Sequence, residues 1–182
     1  MRIPSAGTPV SLGTLISATF GFSGTEAFTT DFGRYLDARH VQMTGSGTSA
    51  LFGILQALRH RSPGRVEVVM PSYTAPSLVL PIRKAGLTPI LAEMQVTTLN
   101  ADALSLLDRV TDRTLAVLPV HMYGLATDTD TLAGELRDTR VYTIEDACSS
   151  LGTLVSGRQS GTRADTGFYS FNRGKNMATL AG

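Results

Sequence analysis

Short apolar runs alternate with segments of helical periodicity along this chain, and that alternation constrains the fold more than any other feature. Continuous apolar runs predict buried β-strands, and apolar side chains at helical spacing predict helices packed on them. This order indicates a parallel sheet covered by helices on both faces. The predicted fold class is therefore α/β, a three-layer αβα arrangement with a mostly parallel sheet. The predicted strands are 41–44, 66–70, 89–93, 115–120, 141–144 and 167–171.

Five helices are predicted, and the residues before them form a separate segment. Residues 1–24 contain many glycine, proline and other small residues, which predicts an N-terminal arm, and 25–182 is predicted to be one domain. In helix 102–110 the spacing directs Leu104, Leu107 and Val110 toward the core. The predicted helices are 25–39 with Thr25 as its cap, 49–61, 77–85 closed by Gly86, 102–110 and 129–137.

Composition excludes several classes of protein. The 182 residues carry 16 Lys and Arg against 15 Asp and Glu, a net charge of +1, which predicts no nucleic-acid partner and no acidic membrane surface. Cys148 is the one cysteine, so an intrachain disulfide and a zinc cluster are excluded. No apolar run approaches the roughly 20 residues of a membrane helix. With no secretory signal pattern either, the expected location is the cytoplasm.

A glycine-rich segment lies between the first predicted strand and the next helix. Gly45 and Gly47 let the backbone approach an anion, and the helix amino terminus offers amides and the positive end of its dipole. The segment is equally explained by a tight turn with a helix cap. It also matches a dinucleotide-binding fingerprint, but the acidic residue at the required distance, Glu67, begins its strand instead of ending it.

Two further segments carry ionisable groups. Glu145 and Asp146 follow an apolar strand, where one carboxylate could hold a ring nitrogen protonated; a solvated turn is the alternative. Lys175 follows an aromatic strand in a Gly/Asn loop, with Arg173 nearby, a setting that lowers a lysine pKa as a Schiff base requires. A surface lysine is the alternative reading.

The order of these segments is more specific than any one of them. A phosphate cradle, an acid at a strand end and a lysine follow one another, with Lys175 lying 29 residues after Asp146. Pyridoxal 5'-phosphate requires these three parts: an anchor for its phosphate, an acid for its pyridine nitrogen and an amine for its aldehyde. The order therefore predicts pyridoxal phosphate as the cofactor.

With these motifs in place, the sequence resembles the DegT/DnrJ/EryC1/StrS family of sugar aminotransferases, a branch of the fold-type-I pyridoxal-phosphate enzymes. The resemblance implies that 25–182 is a partial, truncated large domain of an aspartate-aminotransferase-like transferase, without the small C-terminal domain. The matching stretches are 2–4, 47–51, 70–74, 85–89, 119–124, 145–147 and 170–175.

The resemblance also implies roles for individual residues. Lys175 matches the lysine that bonds the cofactor and then shuttles a proton between substrate and cofactor carbons, and its retention disfavours a dehydratase branch in which histidine replaces it. Asp146 matches the acid at the pyridine nitrogen. The residues matching the phosphate-binding positions are Gly47, Thr48, Ser49 and Ser170.

The expected reaction moves an amino group from glutamate or glutamine to a keto group of a nucleotide-linked sugar, in polysaccharide or antibiotic sugar biosynthesis, within a homodimer. Three positions depart from the family pattern. Ala75 stands where many members have an aromatic that stacks on the cofactor, which leaves Tyr73 as a substitute. Ser149 stands where many have a glutamine that bonds the ring hydroxyl, and Leu151 replaces a histidine.

The chain is about half the length of a usual member. The expectation is therefore an N-terminal half, whether a fragment, a truncated gene product or part of a split enzyme. A non-catalytic remnant of the same fold is the alternative function, and a dinucleotide-binding domain is a weaker one.

Overall fold

The computed structural model describes residues 11–13, 16, 19, 24–172 and 174–177. Its centre is a five-stranded sheet in the order β2-β1-β3-β4-β7, in which every neighbouring pair is parallel. A separate antiparallel hairpin is formed by β5 and β6. The strands are β1 (Glu67–Pro71), β2 (Thr88–Ala92), β3 (Thr114–Val117), β4 (Tyr142–Asp146), β5 (Leu154–Val155), β6 (Arg158–Gln159) and β7 (Thr166–Phe168).

Helices cover both faces of this sheet, as the sequence predicted. On one face, a core centred on Leu51, Leu55 and Ile82 packs against the sheet, and on the other a second core includes Leu106 and Leu132. The helices are α1 (Thr25–Leu36), α2 (Gly47–Arg61), α3 (Val79–Lys84), α4 (Ala103–Leu107) and α5 (Thr129–Leu136), with 3-10 turns at Pro76–Leu78 and Met122–Gly124.

The turn between α3 and β2 shows how local sequence sets these boundaries. Gly86 takes a φ of +73°, a conformation that residues with a Cβ rarely adopt. The Arg59 guanidinium of α2 donates to the Ala85 carbonyl at 2.6 Å, which satisfies an acceptor at the end of α3. The helix predicted over 77–85 is thus a 3-10 turn followed by a short α-helix, closed where expected.

Three local predictions were wrong. Residues 41–44 pair with no other strand of the described chain and therefore form none. The first helix is capped at Gly24 instead of Thr25, and it ends at Leu36 because Asp37 adopts left-handed backbone angles. Leu104 is 73% exposed, since α4 buries Ala103 and Leu106 instead.

The arm predicted at 1–24 lies outside the described residues except at 11–13, 16, 19 and 24. Within the described residues, no helix combines the length and apolar character needed to cross a membrane.

Packing of α2 on the sheet yields a stability prediction. Leu55→Ala empties a fully buried position and should lower the free energy of unfolding by about 2–5 kcal/mol. Leu104→Ala removes the same atoms from an exposed position and should change it by less than about 0.5 kcal/mol. Urea denaturation of both variants tests this, and equal losses would mean that α2 does not pack as described.

Candidate functional site

The carboxyl ends of the parallel strands meet at one edge of the sheet, where open α/β proteins bind ligands. The segments following β1, β3, β4 and β7 all emerge there. Tyr73, Tyr123 and Ser170 lie in the segments after β1, β3 and β7, and Asp146 is the last residue of β4. The amino end of α2 reaches the same edge, because Gly47 contacts the segments after β4 and β7.

The first turn of α2 is arranged to receive an anion. The Ser46 hydroxyl caps the helix by accepting the Ser49 amide at 3.1 Å. Within the described residues, the amides of Gly47 and Thr48 donate to no protein acceptor. Thr48 is half-buried and Ser49 is exposed, so their hydroxyls can also reach a ligand. Unpaired amides at the positive end of the helix dipole favour a phosphate group here.

Gly47 allows three separate segments to meet. A Cβ at this position would lie 3.3 Å from each of three atoms: the Cys148 Sγ, the Ser170 Cβ and the Tyr169 carbonyl oxygen. These distances are shorter than nearly all real Cβ contacts, so the neighbouring segments would have to move apart. Glycine at position 47 therefore lets α2, the turn after β4 and the segment after β7 approach one another.

Asp146 is a buried carboxylate at the end of β4. Its Oδ1 accepts the Cys148 amide at 2.9 Å, and only 5% of the residue is exposed. Burial raises the pKa of Asp146, while the Cys148 amide and the nearby positive charge of Lys175 act in the opposite direction without cancelling the effect. The ionised side chain is thus incompletely compensated by the protein and would gain from a cationic partner.

Lys175 lies beside this carboxylate, on the chain that follows β7. Its Nζ donates to the Ser149 hydroxyl at 3.1 Å, and the residue is half-buried. The structure therefore brings Asp146, Ser149 and Lys175 together, although 26 residues separate Ser149 from Lys175. Arg173, which the sequence suggested as a neighbouring cation, lies outside the described residues.

Glu145 has a different position from its neighbour, because successive side chains of a strand point to opposite faces. It is fully buried, and its Oε1 accepts the Arg163 amide at 2.6 Å. Its Oε2 accepts the Gly161 amide at 3.0 Å and lies 2.9 Å from the His121 Nε2. Glu145 is thus neither in a solvated turn nor directed into the site.

The hydrogen bonds of His121 define its tautomer. The Thr127 amide donates to Nδ1 at 3.1 Å, so that nitrogen carries no proton and Nε2–H donates to Glu145. Burial alone would raise the pKa of Glu145, but the His121 and Gly161 donors outweigh it, and the pKa is lowered. His121 and Glu145 therefore join the segment after β3 to the loop after β6. This is a structural network behind Asp146.

Two tyrosines stand at the rim of the site. Tyr73 and Tyr123 share a hydrogen bond between their hydroxyl oxygens at 3.1 Å, which raises the pKa of Tyr123. Tyr73 is 44% exposed, so much of its ring remains open to a ligand. The Asn100 side chain holds the turn that contains Tyr123. Its Oδ1 accepts the Met122 amide at 3.1 Å, and its Nδ2 donates to the Leu125 carbonyl at 2.9 Å.

Sequence reasoning missed Asn100, because its neighbours carry neither periodicity nor a motif. Arg163 lies among glycines, a pattern typical of a solvated turn, but only 5% of the residue is exposed. Cys148 is half-buried, and its amide donates to Asp146. Burial, reinforced by Asp146, raises its pKa and keeps it as an unreactive thiol.

Comparison with known proteins identifies the family of the chain. Residues 18–182 match the DegT/DnrJ/EryC1/StrS aminotransferase family. The chain belongs to that family. The family assignment rests on most of the sequence and does not depend on the three positions at which the site departs from the pattern.

Individual relatives extend the comparison. The chain is 35% identical over 153 residues to a dTDP-3-amino-3,4,6-trideoxy-alpha-D-glucose transaminase of Streptomyces venezuelae, covering 84% of this chain and 40% of the relative. It is 34% identical over 151 residues to a GDP-perosamine synthase of Caulobacter vibrioides, covering 83% and 40%. The family member therefore spans about 40% of the length of these curated relatives.

A solved structure has the same fold. The GDP-4-keto-6-deoxy-D-mannose-3-dehydratase of E. coli, with bound hydrated PLP, superposes with a TM-score of 0.79 at 25% identity, over 92% of this chain and 44% of the dehydratase chain. The fold is that of the PLP-dependent aminotransferases and dehydratases.

Burial of Asp146 predicts a gain in stability when its charge is removed. Because its pKa is raised by folding, the ionised carboxylate costs stability at neutral pH, and this cost disappears below about pH 4, where both states are protonated. Asp146→Asn keeps an acceptor for the Cys148 amide and should stabilise the chain at pH 7 by on the order of 1 kcal/mol. Urea denaturation at pH 7 and below about pH 4 measures the free energy of unfolding, with the exposed Asp112→Asn as the control. A lower free energy of unfolding for Asp146→Asn at pH 7 would contradict the prediction.

Glu145 should behave in the opposite way. Its lowered pKa means that the ionised form stabilises the fold above about pH 4, and this contribution is lost as the pH falls through the folded-state value. Glu145→Gln places an amide donor among backbone and imidazole donors and should cost about 3 kcal/mol at pH 7. Thermal and urea unfolding measure the loss. If Glu145→Gln lowers the free energy of unfolding no more than the exposed Glu135→Gln does, the stabilising role of the Glu145 network is refuted.

Proposed function

We propose that this family member is a pyridoxal-phosphate-dependent aminotransferase, and that the present chain holds its cofactor. The observation that carries the proposal is the convergence of three groups at one sheet edge: the amino end of α2, the buried Asp146 carboxylate and the Lys175 amine. In that order, these groups are suited to bind the phosphate, the pyridine nitrogen and the aldehyde of the cofactor.

The phosphate fits the first turn of α2. The amides of Gly47 and Thr48, with the hydroxyls of Thr48 and Ser49, would bind its oxygens, and Ser170 adds a hydroxyl from the opposite side. Charge-assisted bonds from helix amides are stronger than neutral ones, so this cradle would contribute much of the affinity.

Asp146 fits the pyridine nitrogen. A buried carboxylate whose pKa is raised gains most from a nearby cation, and a protonated ring nitrogen supplies one. Holding a proton on that nitrogen is the role of Asp146. When bound, pyridoxal phosphate supplies the electron sink that stabilises negative charge at the substrate carbon.

Lys175 is the proposed catalytic residue: its amine would condense with the cofactor aldehyde with loss of water, and its Nζ would hold a proton during transfer. The Ser149 hydroxyl accepts its hydrogen bond and orients the amine toward the edge on which Asp146 lies. A lysine here supports aminotransferase over dehydratase activity, because histidine replaces it in the dehydratase branch. Ser149 also replaces the family's glutamine near the ring hydroxyl, and Tyr73 covers the ring in place of the aromatic absent at Ala75.

The proposed substrate is a nucleotide-linked keto sugar, with glutamate or glutamine as amino donor. Supporting this, the two relatives described above carry GDP- and dTDP-linked sugars in their names. We further propose a cytoplasmic homodimer as the working form.

The decisive experiment uses the fact that the chain has only two lysines, Lys84 and Lys175. The purified chain is titrated with pyridoxal phosphate, followed by absorbance, then reduced with borohydride and mapped by peptide mass. We expect a saturable visible band and a covalent link at Lys175. Lys175→Ala should abolish both, whereas the exposed Lys84→Ala should leave both unchanged.

Labelling of Lys84 to the same extent as Lys175, or a band that survives Lys175→Ala, would contradict the proposed site. Absence of any band in the wild-type chain would refute cofactor binding by this chain and would favour a non-catalytic remnant of the fold.

A further inference from the structure

A second concave site lies at the opposite edge of the sheet. A cavity of about 670 Å³ is lined by Tyr142 and Thr143, which begin β4, by the end of α2 and by the segment after α5. Tyr142 and Asp146 stand at the two ends of β4, which places the cavity roughly 13 Å from Asp146 at about 3.3 Å per residue. The two sites are therefore separate.

The cavity wall is strongly basic. Five arginines and one acid line it, and the acid, Asp165, already accepts the Thr143 amide through Oδ2. Within the described residues, none of Arg61, Arg137 and Arg140 forms an ion pair. A chain of net charge +1 thus concentrates about a third of its 14 arginines around one cavity. The lining arginines are Arg61, Arg65, Arg137, Arg140 and Arg163.

Arg163 provides a second, independent observation. Only 1% of its side chain is exposed, and Nη2 donates to the Asp130 carboxylate at 2.7 Å. Its Nε and Nη1 are buried and have no acceptor among the described residues. Buried donors without acceptors are rare and costly in folded proteins. Arg163 thus adds to the cavity wall a buried guanidinium group that pairs with Asp130 and keeps two donors without a described acceptor.

We propose that this cavity binds a small molecule carrying a diphosphate group. Its volume lies in the range of small-molecule sites. Several guanidinium groups around one cavity suit a ligand with two adjacent phosphoryl groups better than a ligand with a single carboxylate. The shared chemistry is the diphosphate, whether free or as part of a nucleotide. A nucleic acid fits less well, because the basic residues surround a bounded cavity and the chain as a whole is nearly neutral. The site does not depend on the proposed transamination.

Calorimetric titration of the purified chain with inorganic pyrophosphate, ADP and inorganic phosphate tests this proposal. We expect saturable one-to-one binding of pyrophosphate and at least about tenfold weaker binding of phosphate, because one set of charge-assisted bonds is lost. Equal affinities for ADP and pyrophosphate would identify the diphosphate alone as the ligand group, and tighter ADP binding would add contacts from the nucleoside.

Variants locate the binding site. Arg137→Gln and Arg140→Gln change exposed side chains and should each weaken pyrophosphate binding about tenfold. Arg83→Gln removes an exposed arginine that does not line the cavity and should have no effect. No saturable binding, equal effects of all three variants, or tighter binding of a short oligonucleotide than of pyrophosphate would overturn the proposal.

Discussion

The buried end of β4 is the constraint on which the rest of the site depends. Two consecutive carboxylates leave the strand on opposite faces, and each meets a different environment. Glu145 is surrounded by donors that hold the His121 segment and the loop at Gly161 in place. Asp146 has one amide and a lysine nearby, and remains unfavourably buried as a charge. Glu145 stabilises the fold around the site, whereas burial of ionised Asp146 lowers the stability of the fold.

The alternating sequence pattern predicted the layers and the parallel sheet because both follow from local periodicity and from how strands are covered. It also predicted that strand ends would carry the polar groups of the site. It failed at 41–44, which have no partner strand in the described chain, because hydrogen-bonded pairing between strands cannot be predicted from one segment alone. The predicted buried face of α4 was also wrong. Ala103 and Leu106 are buried while Leu104 is exposed, because a small alanine can pack against the core as well as a leucine can.

The polar network could not be predicted from the sequence, because its partners lie far apart along the chain. Asn100 supports the Tyr123 turn across 22 residues, and Glu145 binds a loop 16–18 residues later. None of these contacts produces a repeating pattern. Arg163 illustrates the difficulty most clearly: glycines around an arginine are typical of a solvated turn, but this loop folds back over β4 and buries the guanidinium.

One physical criterion applies at both edges of the sheet. At the carboxyl edge, Asp146 is a buried negative charge that the protein compensates only in part. At the amino edge, Arg163 is a buried positive charge with unused donors. Removing a charge from water without full compensation destabilises a fold, and a bound partner of opposite charge would reduce that destabilisation. The same criterion supports both proposals, a cationic ring beside Asp146 and an anion in the arginine-lined cavity, without reference to the family pattern.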